Sequence, residues 1–391
     1  MRKKKLKFLQ LIFIVLIGGS AFLAGVLYEQ HKENYLSFQN SLDFTLLNQI
    51  VRKLEEKFVN DLDYQKMLFG AAKGLVKSVG DDYTEFFDPE EAKIFKEDIS
   101  GSFEGVGMEI GIRNNQLTVI TPLEGTPAFR AGILPKDIIL KIDGEDTSQM
   151  TLEEAAKKIR GKKGTKVVLT IYREGWDKPR DFEIIRDLII IPALKFEVLD
   201  GNIGYLKIYQ FSQNISYQFQ KAAQEIERKK INKIILDLRN NPGGILTKAQ
   251  EIAGWFLEKG DTVLYERESN GEEKEYRAKG NSKFLKHKIV VLVNQGTASA
   301  AEILAAALKE NRSDIILVGE KTFGKGSVQE VIDLKYGALL KVTIAYWLTP
   351  SKKMIDKQGL VPDIEVPMEE EDYLSGKDPQ LQKALQIIKS L

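Results

Sequence analysis

From residue 190 onward, short runs of branched apolar residues alternate with segments of helical periodicity, and this narrows the possible folds more than any other feature of the chain. Segments 203–208, 233–237 and 287–294 read as strands, the last two apolar through their centres and therefore buried. Segments 215–230, 246–259 and 298–309 carry apolar residues at three-to-four spacing and read as helices. A further strand is expected over 315–318. Such an order predicts an α/β domain with helices covering a largely parallel sheet. Its ligand site should lie beyond the carboxyl ends of the strands.

The texture upstream is different. Between residues 99 and 186 the strands are short, the turns are polar, and one helix stands out. That helix has Thr151 as N-cap and Glu154 three positions later, a capping box. About 90 residues of this kind suit one small β-domain. Residues 31–98 are helical in pattern, with a stop at Gly80-Asp81-Asp82 and a new start at Asp88-Pro89-Glu90-Glu91. They read as a packing module or a dimerisation arm.

The first 28 residues form a unit of their own. Arg2, Lys3, Lys4, Lys5 and Lys7 precede an apolar run of 20 residues, Phe8 to Leu27. About 20 residues at ~1.5 Å rise cross a ~30 Å hydrocarbon core. The basic cluster belongs on the cytoplasmic side, so the remainder is expected outside it. An uncleaved signal-anchor fits better than a cleaved signal peptide, because Ser20-Ala21-Phe22-Leu23-Ala24 is a poor cleavage site.

With 391 residues the chain is too long for one core. Lys and Arg (57) nearly cancel Asp and Glu (56), so no field exists to recruit nucleic acid. There is no cysteine, which excludes thiol catalysis and disulfides. The two histidines, His31 and His287, stand in no metal-ligand spacing. A hydrolase built on this chain needs a base other than histidine.

Three segments just beyond expected strands carry candidate chemistry. In Gln295-Gly296-Thr297-Ala298-Ser299-Ala300-Ala301-Glu302, a strand, a Gly turn and a helix start expose Ser299 beside free N–H groups. Read locally, Ser299 serves equally well as a plain helix cap. In Lys321-Thr322-Phe323-Gly324-Lys325-Gly326-Ser327-Val328-Gln329, two glycines let backbone pack around one ammonium. Lys325 can act as a base only if desolvation lowers its pKa; otherwise it is a solvated loop lysine. The loop lacks the full phosphate-binding pattern. In Asp237-Leu238-Arg239-Asn240-Asn241-Pro242-Gly243-Gly244, the glycine N–H groups can face a developing negative charge, or simply turn the chain. Together the three supply a nucleophile, a base that answers the histidine deficit, and an oxyanion site.

At these residues the sequence resembles the carboxyl-terminal processing peptidases of serine-protease family S41. The segments 297–303, 322–329 and 237–244, followed by Gly359-Leu360-Val361-Pro362-Asp363-Ile364, stand in the family's order, and the likeness covers about residues 35–370. It implies Ser299 as nucleophile, Lys325 as general base and Gln329 as the residue that orients it. The oxyanion hole would come from backbone N–H groups of Gly243 or Gly244 and of Ala300, with Glu302 in support. Thr297 and Ala301 stand where many relatives have Ser. Residues 99–188 then resemble a PDZ domain, with Gly105, Val106, Gly107 and Met108 in the loop that takes a free peptide carboxylate.

The implied architecture is a multidomain α/β protein. It comprises an anchor (1–28), a helical region (29–98), a PDZ β-domain (99–188), a crotonase/ClpP-like catalytic domain (189–366) and a tail (367–391) ending in a helix. The implied activity is a serine endopeptidase needing no cofactor or metal. It would act outside the cytoplasm on exported or membrane proteins near their C-termini, with a homodimer possible. Arg160 is read either as a solvated loop arginine or as a link from the PDZ domain to the catalytic loop. A scaffold with an inactive protease domain and a coenzyme-A-linked enzyme are the competing readings.

Overall fold

The computed structural model describes residues 43–391, apart from 114 and 124. The expected anchor therefore lies outside the described residues; among those described, no helix is long and apolar enough to cross a membrane. The chain divides after Ala71 into two compact units. In the first, helix Thr45–Lys57 buries none of its residues. The Tyr64 hydroxyl donates to Glu55 at 2.9 Å.

The second unit begins within helix Tyr64–Lys77. The Asp-Pro-Glu-Glu start then does what its residues dictate. The Asp88 carboxylate accepts the N–H groups of Glu90 and Glu91, and Glu91 reaches back to the Asp88 N–H, opening helix Pro89–Ser100.

The β-domain is an antiparallel sheet of strands Met108–Arg113, Gln116–Pro122, Ile138–Ile142, Lys166–Tyr172 and Arg180–Ile185, in that order. Helix Leu152–Ile159 carries the expected Thr151/Glu154 capping box. Alternate residues such as Val167, Leu169 and Ile171 point into a core shared with Val106, Ile139 and Ala155. A ribbon of Ser102–Gly105 against Asp187–Ile190 ties the two ends of this domain together.

The α/β domain has the sheet order Leu194–Leu199, Ile203–Ile208, Lys233–Asp237, Lys288–Val293, Ile316–Gly319, Ile364–Glu365. The first pair is antiparallel and the rest are parallel. Both faces are covered, which is why the central strands carry unbroken apolar runs, Ile234–Leu236 and Ile289–Val293. Ile234, Leu236, Val291 and Val293 pack with helices Ile215–Arg228, Leu246–Phe256 and Ala300–Asn311. Ile235, Val290 and Leu292 pack with Ala384 and Ile388 of helix Pro379–Ser390. The final helix of the tail thus serves this chain's own sheet.

The expectation of a largely parallel sheet holds for only part of this domain. A second, antiparallel sheet joins Glu85–Phe87, Leu339–Leu348, Thr262–Glu268 and Glu273–Arg277, with Ser327–Asp333 alongside Leu339–Leu348. Its strands are half-exposed and rich in charge, as in Tyr265-Glu266-Arg267-Glu268, so they give no buried apolar run. Glu85–Phe87 brings the N-terminal part of this unit alongside Leu339–Leu348, across that strand from Ser327–Asp333.

Candidate active site

Strand Lys288–Val293 delivers the chain into a tight turn, after which helix Ala300–Asn311 begins. Ser299 sits at that junction with φ 55° and ψ −120°, a conformation a non-glycine residue holds only when its surroundings impose it. They do. The Ala298 N–H donates to the Asn241 carbonyl at 2.9 Å, and the Thr297 hydroxyl donates to the Leu238 carbonyl at 2.9 Å. Asn240 and Asn294 exchange two hydrogen bonds, at 2.8 and 2.9 Å. The serine turn and the Pro-Gly-Gly loop are one assembly.

Gly243 is required by contact: a Cβ there would lie 2.8 Å from both the Ala298 carbonyl oxygen and Ser299 Cβ, at a φ of 101°. Its N–H, however, donates to Asn241 Oδ1 at 2.9 Å. Of the two glycines expected to face an oxyanion, Gly243 thus has its N–H engaged within its own loop. The donors left to consider are Gly244 and Ala300, the latter the first residue of its helix with no acceptor one turn back.

The lysine loop is held from behind by the closing motif. Thr322 N–H donates to the Leu360 carbonyl at 3.0 Å, Leu360 N–H to Thr322 Oγ1 at 2.7 Å, and Lys357 N–H to the Gly324 carbonyl at 2.8 Å. A Cβ on Gly326 would lie 2.5 Å from the Asp356 nitrogen, so the two glycines around Lys325 permit this close packing. Trp347 Nε1 donates to the Lys325 carbonyl at 2.9 Å.

Glu302 joins the two loops. Fully buried, it accepts the backbone N–H groups of Ser299 and Lys325 at 2.9 Å each, that of Gly324 at 2.8 Å, and the Thr322 hydroxyl at 2.5 Å. Burial pushes its carboxyl above the usual range, while these hydrogen bonds oppose the rise. The sequence suggested support from Glu302; the structure gives it a definite one.

Lys325 is half-buried, and burial, followed by the nearby Lys341 ammonium, lowers its pKa from the ordinary lysine value, with Asp81 opposing. Its Nζ lies over the Tyr83 ring, 4.6 Å from the centroid. Gln329 Nε2 donates to Ser327 Oγ at 2.8 Å and to Thr343 Oγ1 at 3.4 Å. Among the described residues no hydrogen bond links Ser299, Lys325 and Gln329 to one another. They nevertheless line one cleft of about 390 Å³ together with Gly244, Ala300 and the apolar Phe95, Ile99, Leu246, Ile303 and Trp347. Tyr83 and Asp81 were missed in the sequence, where Gly80-Asp81-Asp82 signalled only the end of a helix.

In the β-domain, Gly105, Val106 and Gly107 are buried and Met108 half-buried. The Val106 carbonyl accepts the Ala128 N–H at 2.8 Å, and the Gly107 carbonyl accepts from Leu123 N–H and the Thr126 hydroxyl. Arg160 is not merely solvated. Its Nη1 donates to Glu97 Oε2 at 3.0 Å and its guanidinium lies over Phe103, 4.7 Å from the centroid. Glu97 shares helix Pro89–Ser100 with Phe95 and Ile99, two residues of the Ser299 cleft.

Residues 202–366 match peptidase family S41 and residues 118–173 match the PDZ domain. A solved structure of a Bacteroides fragilis protein assigned to the S41 proteases shares the fold, with a TM-score of 0.56 at 18% identity, over 85% of this chain and 93% of that one. The Bartonella bacilliformis carboxy-terminal-processing protease is 38% identical over 336 residues, 85% of this chain and 77% of its own. The carboxy-terminal processing protease CtpA of Bacillus subtilis is 38% identical over 360 residues, 91% of this chain and 77% of its own. A likeness that runs through the β-domain, the serine turn, the lysine loop and the motif behind it leaves one conclusion: the chain belongs to the carboxy-terminal processing serine proteases of peptidase family S41.

Proposed function

We propose that Ser299 and Lys325 carry out peptide-bond hydrolysis as nucleophile and general base. Neutral Lys325 takes the proton of Ser299 Oγ as the oxygen attacks the scissile carbonyl. The resulting ammonium returns that proton to the leaving amine. Water, activated by the same lysine, then releases the acyl group from Ser299. Gly244 and Ala300 N–H groups receive the oxyanion. Gln329 steadies Lys325 once the neutral amine has swung towards Ser299, since its amide stands in the same cleft. The observation that carries this reading is the shared carboxylate of Glu302, which binds the main chain of both reacting residues.

Substrates are proteins with free C-terminal tails, recognised by the PDZ domain at Gly105–Met108 and cleaved near that end. The apolar wall of the cleft suits apolar side chains. The division into residues 1–28, 29–98, 99–188, 189–366 and 367–391, with a membrane anchor first and the catalytic part on the extracytoplasmic side, belongs to the same proposal, as does a homodimer.

The test is cleavage of an unfolded, apolar-tailed protein by the full chain beside Ser299→Ala and Lys325→Ala. Loss of cleavage in both variants, with circular dichroism unchanged, is expected. Cleavage surviving both substitutions would sink the assignment.

A further inference from the structure

Tyr83 has no place in the chemistry above, yet it lies directly on the lysine that carries it. Lys325 Nζ stands 4.6 Å from the centroid of its ring. The ring is held in place from both sides. Asp81 Oδ2 accepts the hydroxyls of Thr84 at 2.5 Å and Thr343 at 2.6 Å, and Thr84 Oγ1 accepts the Thr343 N–H at 3.1 Å. Two residues on, strand Glu85–Phe87 pairs with Leu339, Leu340 and Lys341. Thr343 also receives the Gln329 amide. The segment 81–87 is thus fastened to the strand that borders the cleft, and Tyr83 is its only ring over Nζ among the described residues.

An aromatic face attracts an ammonium through its quadrupole and has no comparable attraction for a neutral amine. A general base must be neutral when it takes a proton. The Tyr83 ring and the Ser299 hydroxyl therefore compete for one nitrogen in its two charge states. We propose that Tyr83 is a positioning residue for Lys325, stacking on the ammonium and surrendering it to Ser299 when the proton leaves. The proposal rests on Lys325 being the general base.

The groups around the pair are consistent with this role. Lys341 and burial favour neutral Lys325, whereas Asp81 favours the ammonium. Glu302 faces the lysine through its backbone N–H. Burial, then Asp356, Asp82, Asp81 and Glu302, raise the Tyr83 phenol above its ordinary value, so the ring acts as a neutral aromatic while the lysine titrates.

The full chain is compared with Tyr83→Phe and Tyr83→Leu by two readouts. Acetylation of Lys325 by acetic anhydride against pH, read by mass spectrometry, gives its titration midpoint without any turnover. The pH profile of kcat/KM on an unfolded protein gives the same limb in catalysis. Tyr83→Phe keeps the ring face, and its midpoint should stay within a few tenths of a unit of the parent. In Tyr83→Leu the midpoint should fall by about 0.5–1 pH unit, with kcat/KM on the acid limb rising about 3–10-fold. An unchanged midpoint in Tyr83→Leu overturns the proposal. So does an upward shift, which would make the ring only a desolvating cover, or equal shifts in both variants. If Lys325→Ala still cleaves, the assignment of the base falls, whereas the acetylation midpoint still decides whether Tyr83 holds the ammonium.

Discussion

Arg239 Nη1 reaches across 139 residues of sequence to Asp378 Oδ1 at 2.8 Å, joining the loop that bears Gly243 and Gly244 to the start of the last helix. Arg239 also pairs with the fully buried Asp237 at 2.7 Å, and Asp237 accepts the Tyr205 hydroxyl at 2.5 Å. Arg239→Ala should therefore cost about 3–5 kcal/mol, because it leaves the Asp237 charge buried and unpaired. Denaturant unfolding measures this. Asp378→Asn should cost less, about 1–2 kcal/mol, and reduce kcat more than KM by loosening the loop.

Asp378 also gives an acid limit. Burial, the largest single effect, raises its pKa, but the hydrogen bonds from Arg239 and the Leu381 N–H together with the Arg239 and Lys207 charges outweigh it, so the folded-state value lies below the ordinary one. A depressed carboxylate contributes stability that is present above its unfolded value of about 3.9 and is lost as pH falls through the folded value. Unfolding free energies of the parent and Asp378→Asn should therefore differ by a steady amount above about pH 3.9 and converge as pH falls below it through the folded-state value.

Glu302→Gln keeps the shape but turns one acceptor into a donor facing the N–H groups of Ser299, Gly324 and Lys325. A fall in kcat of at least about 100-fold is expected, comparable with loss of an oxyanion donor. Glu302→Ala should in addition lower stability by about 3 kcal/mol, since it strands buried donors. Single-turnover rates and thermal melts on the same preparations separate the two effects.

Gly243→Ala places a methyl against Ser299 Cβ and the Ala298 carbonyl at a φ that L-residues avoid. A stability loss of about 1–3 kcal/mol, with kcat reduced more than KM, is the expected outcome of thermal melts and steady-state kinetics.

Lys341→Met keeps an unbranched side chain of similar length but removes the ammonium that lies over Phe87 and Phe95 and helps hold Lys325 neutral. The Lys325 pKa should rise, so the acid limb of kcat/KM should move about half a pH unit upward. The Glu85 carboxylate, left without Lys341, pushes in the same upward direction, so an unchanged or lowered limb would contradict the prediction.

Arg160→Ala removes the contact from the PDZ domain to Glu97 and its helix. Basal cleavage of a short peptide should change little, whereas stimulation by tailed substrates should fall several-fold. Equal loss for both substrates would assign Arg160 to folding alone.

Much of this site was legible in the sequence because its parts obey local rules. Strand Lys233–Asp237 coincides with the expected segment, since burial on both faces demands an unbroken apolar run. Thr151/Glu154 and Asp88/Glu91 spelled their own helix starts. The tight turn before Ser299 and the close-packed loop at Lys325 were readable from the glycines around them. The antiparallel sheet was not, because half-exposed strands such as Thr262–Glu268 mix apolar and charged residues without a clear face. Nor were the distant contacts of Tyr83 with Lys325, Asp81 with Thr343 and Arg239 with Asp378, which no local spacing announces. The engaged N–H of Gly243 escaped for the opposite reason: Asn241, only two residues earlier, supplies its acceptor, and no spacing rule marks that turn.

The single carboxylate that binds the main chain at Ser299 and Lys325 has a consequence for control. Two backbones fixed to one buried group cannot drift apart without breaking it, so neither loop is free to refold as a way of silencing the enzyme. What remains adjustable is the torsion of one flexible side chain. On the proposed mechanism Lys325 then reaches Ser299 by rotation about its own side chain alone.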